Sequence, residues 1–131
     1  MEKEIICLDT SILIDLFRKT KRENSAFHKL KQKYSLFAVS IVTEYEIYIG
    51  SNTLQKDFWN KFFSEIIVLP FDSSSNKVAI NIHNQLKRKS KLIETPDIFI
   101  AATAISNSMK LATLNTKHFE RIDNLELVEI E

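Results

Sequence analysis

The sequence predicts an α/β fold, a three-layer α/β/α sandwich around a central, mainly parallel sheet of four to five strands. Two patterns lead there. Short continuous apolar runs such as Ile5-Ile6-Cys7-Leu8 suit strands covered on both faces. Between them lie segments whose apolar residues recur at helical spacing, and strands separated by helices imply β-α-β units. Composition agrees: of 131 residues, 44% are hydrophobic and 27% charged, enough for one domain over residues 1–131 with a buried core.

The elements follow in order. After the run at Ile5, the residues Ile12, Leu13, Leu16 and Phe17 mark a helix, and Phe27, Leu30 and Tyr34 a second. Leu36-Phe37-Ala38-Val39 reads as a strand and leads into a helix carrying Ile41, Val42, Tyr45, Ile47, Tyr48 and Ile49. Phe58, Phe62 and Phe63 belong to another helix, Ile66-Ile67-Val68-Leu69 to a third strand, and Val78, Ala79, Ile82 and Leu86 to the helix after it. Residues 97–105 are apolar nearly all round, so this helix is expected to be buried. Thr95-Pro96 marks its start, a capping side chain followed by proline at the first helical position. Leu111-Ala112-Thr113-Leu114 is the fourth strand, and residues 125–130 are a candidate fifth.

Many functions are excluded by what is scarce. No apolar run approaches the ~20 residues of a membrane span. Met1-Glu2-Lys3-Glu4 carries both signs of charge, unlike a signal peptide, so the cytoplasm is the expected location. The lone Cys7 rules out an internal disulfide and a multi-cysteine zinc site. The lone Gly50 rules out a glycine-rich phosphate loop and a Gly-x-Ser-x-Gly nucleophile elbow. His28, His83 and His118 show no zinc-binding spacing. With 18 basic and 17 acidic residues the net charge is +1, so a nucleic-acid partner would require a local basic patch or a bound cation.

In parallel α/β folds ligands gather beyond the C-terminal ends of the strands, and several polar residues fall there. Asp9 directly follows the first apolar run; its plain structural account is the N-cap of the next helix, worth ~1 kcal/mol. Glu46 lies on a helix with little other polar surface, where an ionised carboxylate is costly without compensation. Glu44 is about 200° round that helix at ~100° per residue and faces elsewhere. Asp97 sits in the first turn of the buried helix, where the dipole favours an acid by ~0.3–1 kcal/mol, yet a docked acid needs a partner. Asn115 ends the fourth strand, as a turn residue or part of a site, and His118 is close behind. Hard oxygen donors without cysteine or histidine suit Mg²⁺ or Mn²⁺, an ion able to activate water against a phosphodiester.

These residues resemble the motifs of the PIN-domain ribonucleases, in particular the VapC-like toxins of bacterial toxin–antitoxin modules. Ile6-Cys7-Leu8-Asp9-Thr10-Ser11-Ile12-Leu13-Ile14-Asp15 is similar to the opening strand and first acid of that family. The stretch from Val39-Ser40 through Thr43, Glu46 and Gly50 is similar to its second motif, and that spacing selects Glu46 over Glu44. Pro96-Asp97-Ile98-Phe99-Ile100-Ala101-Ala102-Thr103-Ala104 resembles the third, and residues 111–122 the last.

The resemblance implies an Mg²⁺- or Mn²⁺-dependent endoribonuclease in which Asp9, Glu46 and Asp97 hold the metal and Asn115 completes the pocket. Hydrolysis by metal-activated water would leave a 5′-phosphate. Thr10, Ser11 and Thr113 are candidates to orient ligands or water. Expected partners are an RNA substrate, a cognate antitoxin that inserts a basic side chain among the acids, and a second copy of the chain in a homodimer; no membrane is expected. Some relatives carry a fourth acid at or just after the position of Asn115, where this chain offers Asn115 and His118. One tightly held ion is therefore expected, with any second arriving with substrate. Lys87, Arg88 and Lys89, with Lys91, form the strongest basic cluster and are candidates for RNA phosphates; the plain account is a solvated helix end that suits the dipole. Lys19, Lys21 and Arg22 are a second such group. Phe58, Trp59, Phe62 and Phe63 are expected in the core or a dimer surface. Two other readings of the residues stay open: a catalytically silent module of the same fold that binds RNA or protein, and a different phosphoryl-handling α/β domain.

Overall fold

In the computed structural model, which describes residues 3–130, four strands form one parallel sheet: β1 (Ile5–Leu8), β2 (Leu36–Ser40), β3 (Ile67–Leu69) and β4 (Lys110–Ala112), in the order β3-β2-β1-β4. Met1 and Glu2 of the charged N-terminal stretch, and Glu131, lie outside the described residues. The connections are α1 (Thr10–Arg18), a 3₁₀ turn at Arg22–Asn24, α2 (Ala26–Lys31), α3 (Ile41–Ile49), α4 (Thr53–Ser64), α5 (Ser73–Arg88), α6 (Thr95–Ser106) and α7 (Thr116–Phe119). Among the described residues no helix is long and apolar enough to cross a membrane.

Burial of the central strands on both faces explains their unbroken apolar runs. Successive side chains of β1 point to opposite faces, and two cores result. Ile6 and Leu8 join Phe37, Val39, Trp59 and Phe63 in one; Cys7 and Leu111 join Ile82, Leu86, Ile100 and Phe119 in the other. The three-layer expectation holds. The aromatics of α4 belong to the first core, with Trp59 and Phe63 buried and Phe58 and Phe62 packed against it. α6 is buried as its composition requires, from Ile98 through Ala104 with only Phe99 less covered.

Register places the site. Leu8 pairs with Val39 on one side and with Ala112 on the other, so Asp9, Ser40 and Thr113 come next in line along one edge of the sheet. Asp9 N–H still donates to Ala112 O at 2.9 Å.

Three details depart from the sequence reading. The candidate fifth strand shrinks to one parallel bridge between Leu111 and Leu127, held by Leu111 N–H to Glu126 O and Val128 N–H to Leu111 O, both 2.9 Å. α6 begins one residue early: Glu94 is the N-cap, without a side-chain capping bond, and Thr95 and Pro96 occupy the first turn. The apolar helix α3 is not covered all round, because Ile41, Tyr45 and Ile49 stay exposed.

Both long helices of the second layer end alike. Ser90 and Ser108 adopt φ of 56°, and each opens a Schellman motif. Lys91 N–H reaches Leu86 O and Met109 N–H reaches Ala104 O, both at 2.9 Å.

Candidate active site

Asp9 is the N-cap of α1 and is 1% exposed, so the capping account and the pocket account both apply to it. Its Oδ2 accepts from Ser11 Oγ at 2.7 Å and Thr113 Oγ1 at 2.8 Å, and more distantly from Ser11 N–H at 3.4 Å. Those hydroxyls are themselves fixed by backbone, Leu114 N–H donating to Ser11 Oγ at 3.0 Å and Asn115 N–H to Thr113 Oγ1 at 2.9 Å. Two peptide groups beyond β4 thus orient two hydroxyls onto one buried oxygen. Three hydrogen bonds offset the cost of burying this carboxylate.

α3 starts at the end of β2, capped by Ser40 Oγ, which accepts from Val42 N–H at 3.0 Å. Its Glu46 Oε1 accepts from Thr10 Oγ1 at 2.7 Å, tying α3 to the first turn of α1. Thr43, fully buried, places its Oγ1 3.0 Å from Thr10 Oγ1. Sequence reasoning quoted Thr43 within a motif without giving it a role; the signal was its position three residues before Glu46, on the same helical face. Glu44 points its charge elsewhere, toward Tyr48, whose hydroxyl pKa is raised by burial and by that carboxylate.

Asp97 lies in the first turn of α6 with its side chain 21% exposed. Burial lifts its pKa to about 6, and the charges of Asp9 and then Glu46 push in the same direction. His118 works against them from 3.9 Å, beyond hydrogen-bond length, with Nδ1 toward Asp97 Oδ2. The dipole of α6 would favour an ionised acid here, so desolvation and like charge outweigh it. The position is therefore more than a helix cap.

These acids come from the end of β1, from α3 and from α6, and Asp97 feels the charges of the other two, yet among the described residues no three acidic, histidine or cysteine side chains stand close enough to hold a metal as they are. Glu46 and Asp97 are both partly exposed, whereas Asp9 is buried. The donor chemistry suits a hard divalent cation. Thiolate chemistry does not fit: burial, then Asp9, pushes the Cys7 thiol up to about 12.

Asn115 is exposed and caps α7 without a side-chain hydrogen bond; its backbone N–H is the part that engages the Asp9 network. Lys87, Arg88 and Lys89 are exposed at the end of α5, where Lys89 Nζ lies 3.4 Å from Asp123.

The sequence pattern of the PIN domain matches residues 6–125 of the chain. Ribonuclease VapC1 of Methanocaldococcus jannaschii is 31% identical over 126 residues, covering 96% of this chain and 87% of that protein. The crystal structure of VapBC2 from Rickettsia felis, bound to a DNA fragment from its promoter, contains a chain that superimposes with a TM-score of 0.85 at 25% identity, over 97% of this chain and 99% of that one. A toxin–antitoxin complex from Klebsiella pneumoniae contains another, with a TM-score of 0.73 at 27% identity, over 92% and 94% of the two chains. The acid-lined edge of the parallel sheet lies inside the matched span, and with the motifs that supply Asp9, Glu46 and Asp97 all included, the chain belongs to the PIN-domain family.

Proposed function

We propose that the chain is an endoribonuclease and the toxin of a toxin–antitoxin pair, hydrolysing RNA phosphodiester bonds with Mg²⁺ or Mn²⁺ held by Asp9, Glu46 and Asp97. The observation that carries this reading is the placement of Asp9, Glu46 and Asp97 at one edge of the parallel sheet, in motifs that all fall within the matched residues 6–125; burial and the charges of Asp9 and Glu46 raise the Asp97 carboxyl accordingly. Like charges gathered at buried and partly buried positions are unfavourable unless a cation offsets them. The relatives support the substrate and the pairing: one is named a ribonuclease, and one structural neighbour is a toxin–antitoxin complex.

Within this reading Asp9 is the fixed ligand. All three of its hydrogen bonds fall on Oδ2, which leaves Oδ1 for the ion. Thr10 likewise bonds Oε1 of Glu46, which leaves Oε2. Asp97 is the adjustable ligand, because no hydrogen bond among the described residues ties down its carboxylate. A bound divalent ion supplies charge stabilisation for the phosphodiester and lowers the pKa of water. Ser11, Thr113 and Thr10 keep the first two carboxylates aimed, and Asn115 shares a neighbouring hollow with Ser11. An antitoxin would silence the site by placing a basic side chain among the same acids.

A homodimer fits the exposed row Ile41, Tyr45 and Ile49 on α3, 40%, 64% and 66% exposed at four-residue spacing. Sedimentation should show a dimer that Tyr45→Glu dissociates.

The nuclease reading is tested by incubating the chain with single-stranded and structured RNA in Mg²⁺ or Mn²⁺. Cleavage by the wild type and its loss in a folded Asp97→Asn variant are expected. RNA binding without cleavage in either metal would leave a silent binding module instead.

A further inference from the structure

Beside Asp97, residues 90–95 and 117–121 line two open, shallow hollows that share Leu92 and Arg121 in their walls. The nearer, ≈ 440 Å³, is also lined by Glu94, Thr95 and His118, and His118 stands 3.9 Å from Asp97. The farther, ≈ 810 Å³, is lined by Lys91, Lys117, Glu120 and Arg121. We propose that these hollows form the track along which the phosphates of the RNA strand leave the acid pocket, with Lys91, Lys117 and Arg121 as the phosphate contacts. The inference rests on the nuclease reading and adds the side of the pocket the strand uses.

Three observations carry it. Charge comes first: the chain as a whole is nearly neutral at +1, so attraction for a polyanion has to be local. The farther hollow sets three cations against Glu120 alone. Construction comes second. The Schellman motif at Ser90 separates neighbouring lysines, Lys89 pairing with Asp123 at 3.4 Å while Lys91 lines the hollow. Arg121 Nη1 donates to Leu92 O at 3.5 Å and so links the two walls, and the buried Phe119 and Ile122 anchor the segment that presents Lys117 and Arg121. Continuity comes third. The hollows adjoin through Leu92 and Arg121, and the nearer one ends at the imidazole beside Asp97. A strand whose scissile phosphate sits among the acids would pass Glu94 in the nearer hollow and then meet Lys91, Lys117 and Arg121, set against Glu120 alone, in the farther one. Point cations on long side chains suit a polyphosphate backbone; an acidic protein segment is the other conceivable occupant.

The test measures anisotropy of a short, labelled single-stranded oligoribonucleotide with the full chain in EDTA across a salt series, and cleavage kinetics in Mg²⁺. For the double variant Lys91→Ala with Lys117→Ala, the slope of log K against log salt should flatten by about 1.4, at roughly 0.7 per phosphate contact on a single strand. KM for the RNA should rise about tenfold while kcat changes less than twofold. The Arg pair at the same positions should restore the slope, and Lys29→Ala with Lys31→Ala on α2 should leave it unchanged. An unchanged slope in a normally melting Lys91/Lys117 variant overturns the track and leaves the nuclease reading standing, as would competition for these lysines by an acidic peptide but not by RNA. A chain that binds RNA with the expected slopes yet cleaves it in neither metal overturns the nuclease reading and leaves the track.

Discussion

Two site residues that look alike in the sequence, polar groups at the ends of elements, carry opposite energetic signs. Thr113 is 3% exposed, and its hydroxyl both donates to Asp9 Oδ2 and accepts from Asn115 N–H. Thr113→Val keeps the shape but strands a backbone donor and removes a bond from a buried carboxylate, so it should destabilise by about 1–3 kcal/mol, measurable by urea denaturation. Asp97 behaves the other way. Its folded pKa of about 6 lies above the ordinary 3.8 of an aspartate, so the folded state holds the proton more tightly than the unfolded state does. Stability from protonated Asp97 is complete below the unfolded value and is lost as pH rises through about 6. In EDTA, Asp97→Asn should therefore be more stable than wild type at pH 7, on the order of 1–2 kcal/mol, with the difference shrinking toward pH 4; a variant less stable at pH 7 would make Asp97 a simple cap. Asp9 was legible in the sequence because its place after an apolar run fits both a cap and a ligand. The hydroxyls around it were less so, because their roles depend on bonds between chain segments more than a hundred residues apart, Leu114 N–H to Ser11 Oγ and Thr113 Oγ1 to Asp9.

At the scale of elements, β1, most of β2 and α6 were readable because burial on all sides leaves one signature, continuous apolarity; the edge strand β3 carries the same apolar run although Ile67 is exposed. That signature misleads at α3, where apolar residues at four-residue spacing face outward and the cost of an uncompensated Glu46 is lower than full burial would make it. The tail near Leu127 was readable only in part, since a single bridge to Leu111 leaves the same apolar residues as a strand would. Helix ends were the least legible feature. A chain with one glycine must place other residues at left-handed C-cap positions, and serine fills two of them. At Ser108, exposed and with φ of 56°, the side chain makes no hydrogen bond among the described residues to repay that conformation. The left-handed region costs an L-residue roughly 1–2 kcal/mol, part of which glycine returns as unfolded-state entropy. Ser108→Gly should raise stability by about 0.5–1 kcal/mol in denaturant melts without altering RNA cleavage; a loss of stability would mean the serine side chain supports the turn.

For the whole molecule, parallel register turns distant sequence positions into neighbours: Leu8 pairs with Val39 and Ala112, so Asp9 meets the helix carrying Glu46 on one side and Thr113 on the other. α6 then brings Asp97 to the same edge from the second layer. Order along the sheet, β3-β2-β1-β4, was not readable from spacing, because crossover helices of similar length serve several orders; what was readable is that all strand ends would share an edge. A cation held by Asp9 at the end of β1, Glu46 on α3 and Asp97 on α6 would tie both helical layers to the central strand, so its binding should act on global stability rather than on a loop. At a hundredfold excess over its Kd, one ion adds about 2.7 kcal/mol to unfolding, which for a chain of this size is a rise of roughly 8 °C in Tm. Mg²⁺ or Mn²⁺ should produce that shift by differential scanning calorimetry, saturating with concentration. Asp9→Asn should abolish it by removing the ligand that is already oriented, whereas Glu44→Gln, whose charge faces Tyr48, should leave it intact. A metal-induced shift of equal size in the Asp9→Asn chain would place the stabilising cation elsewhere on the molecule and separate metal binding from the acids at the sheet edge.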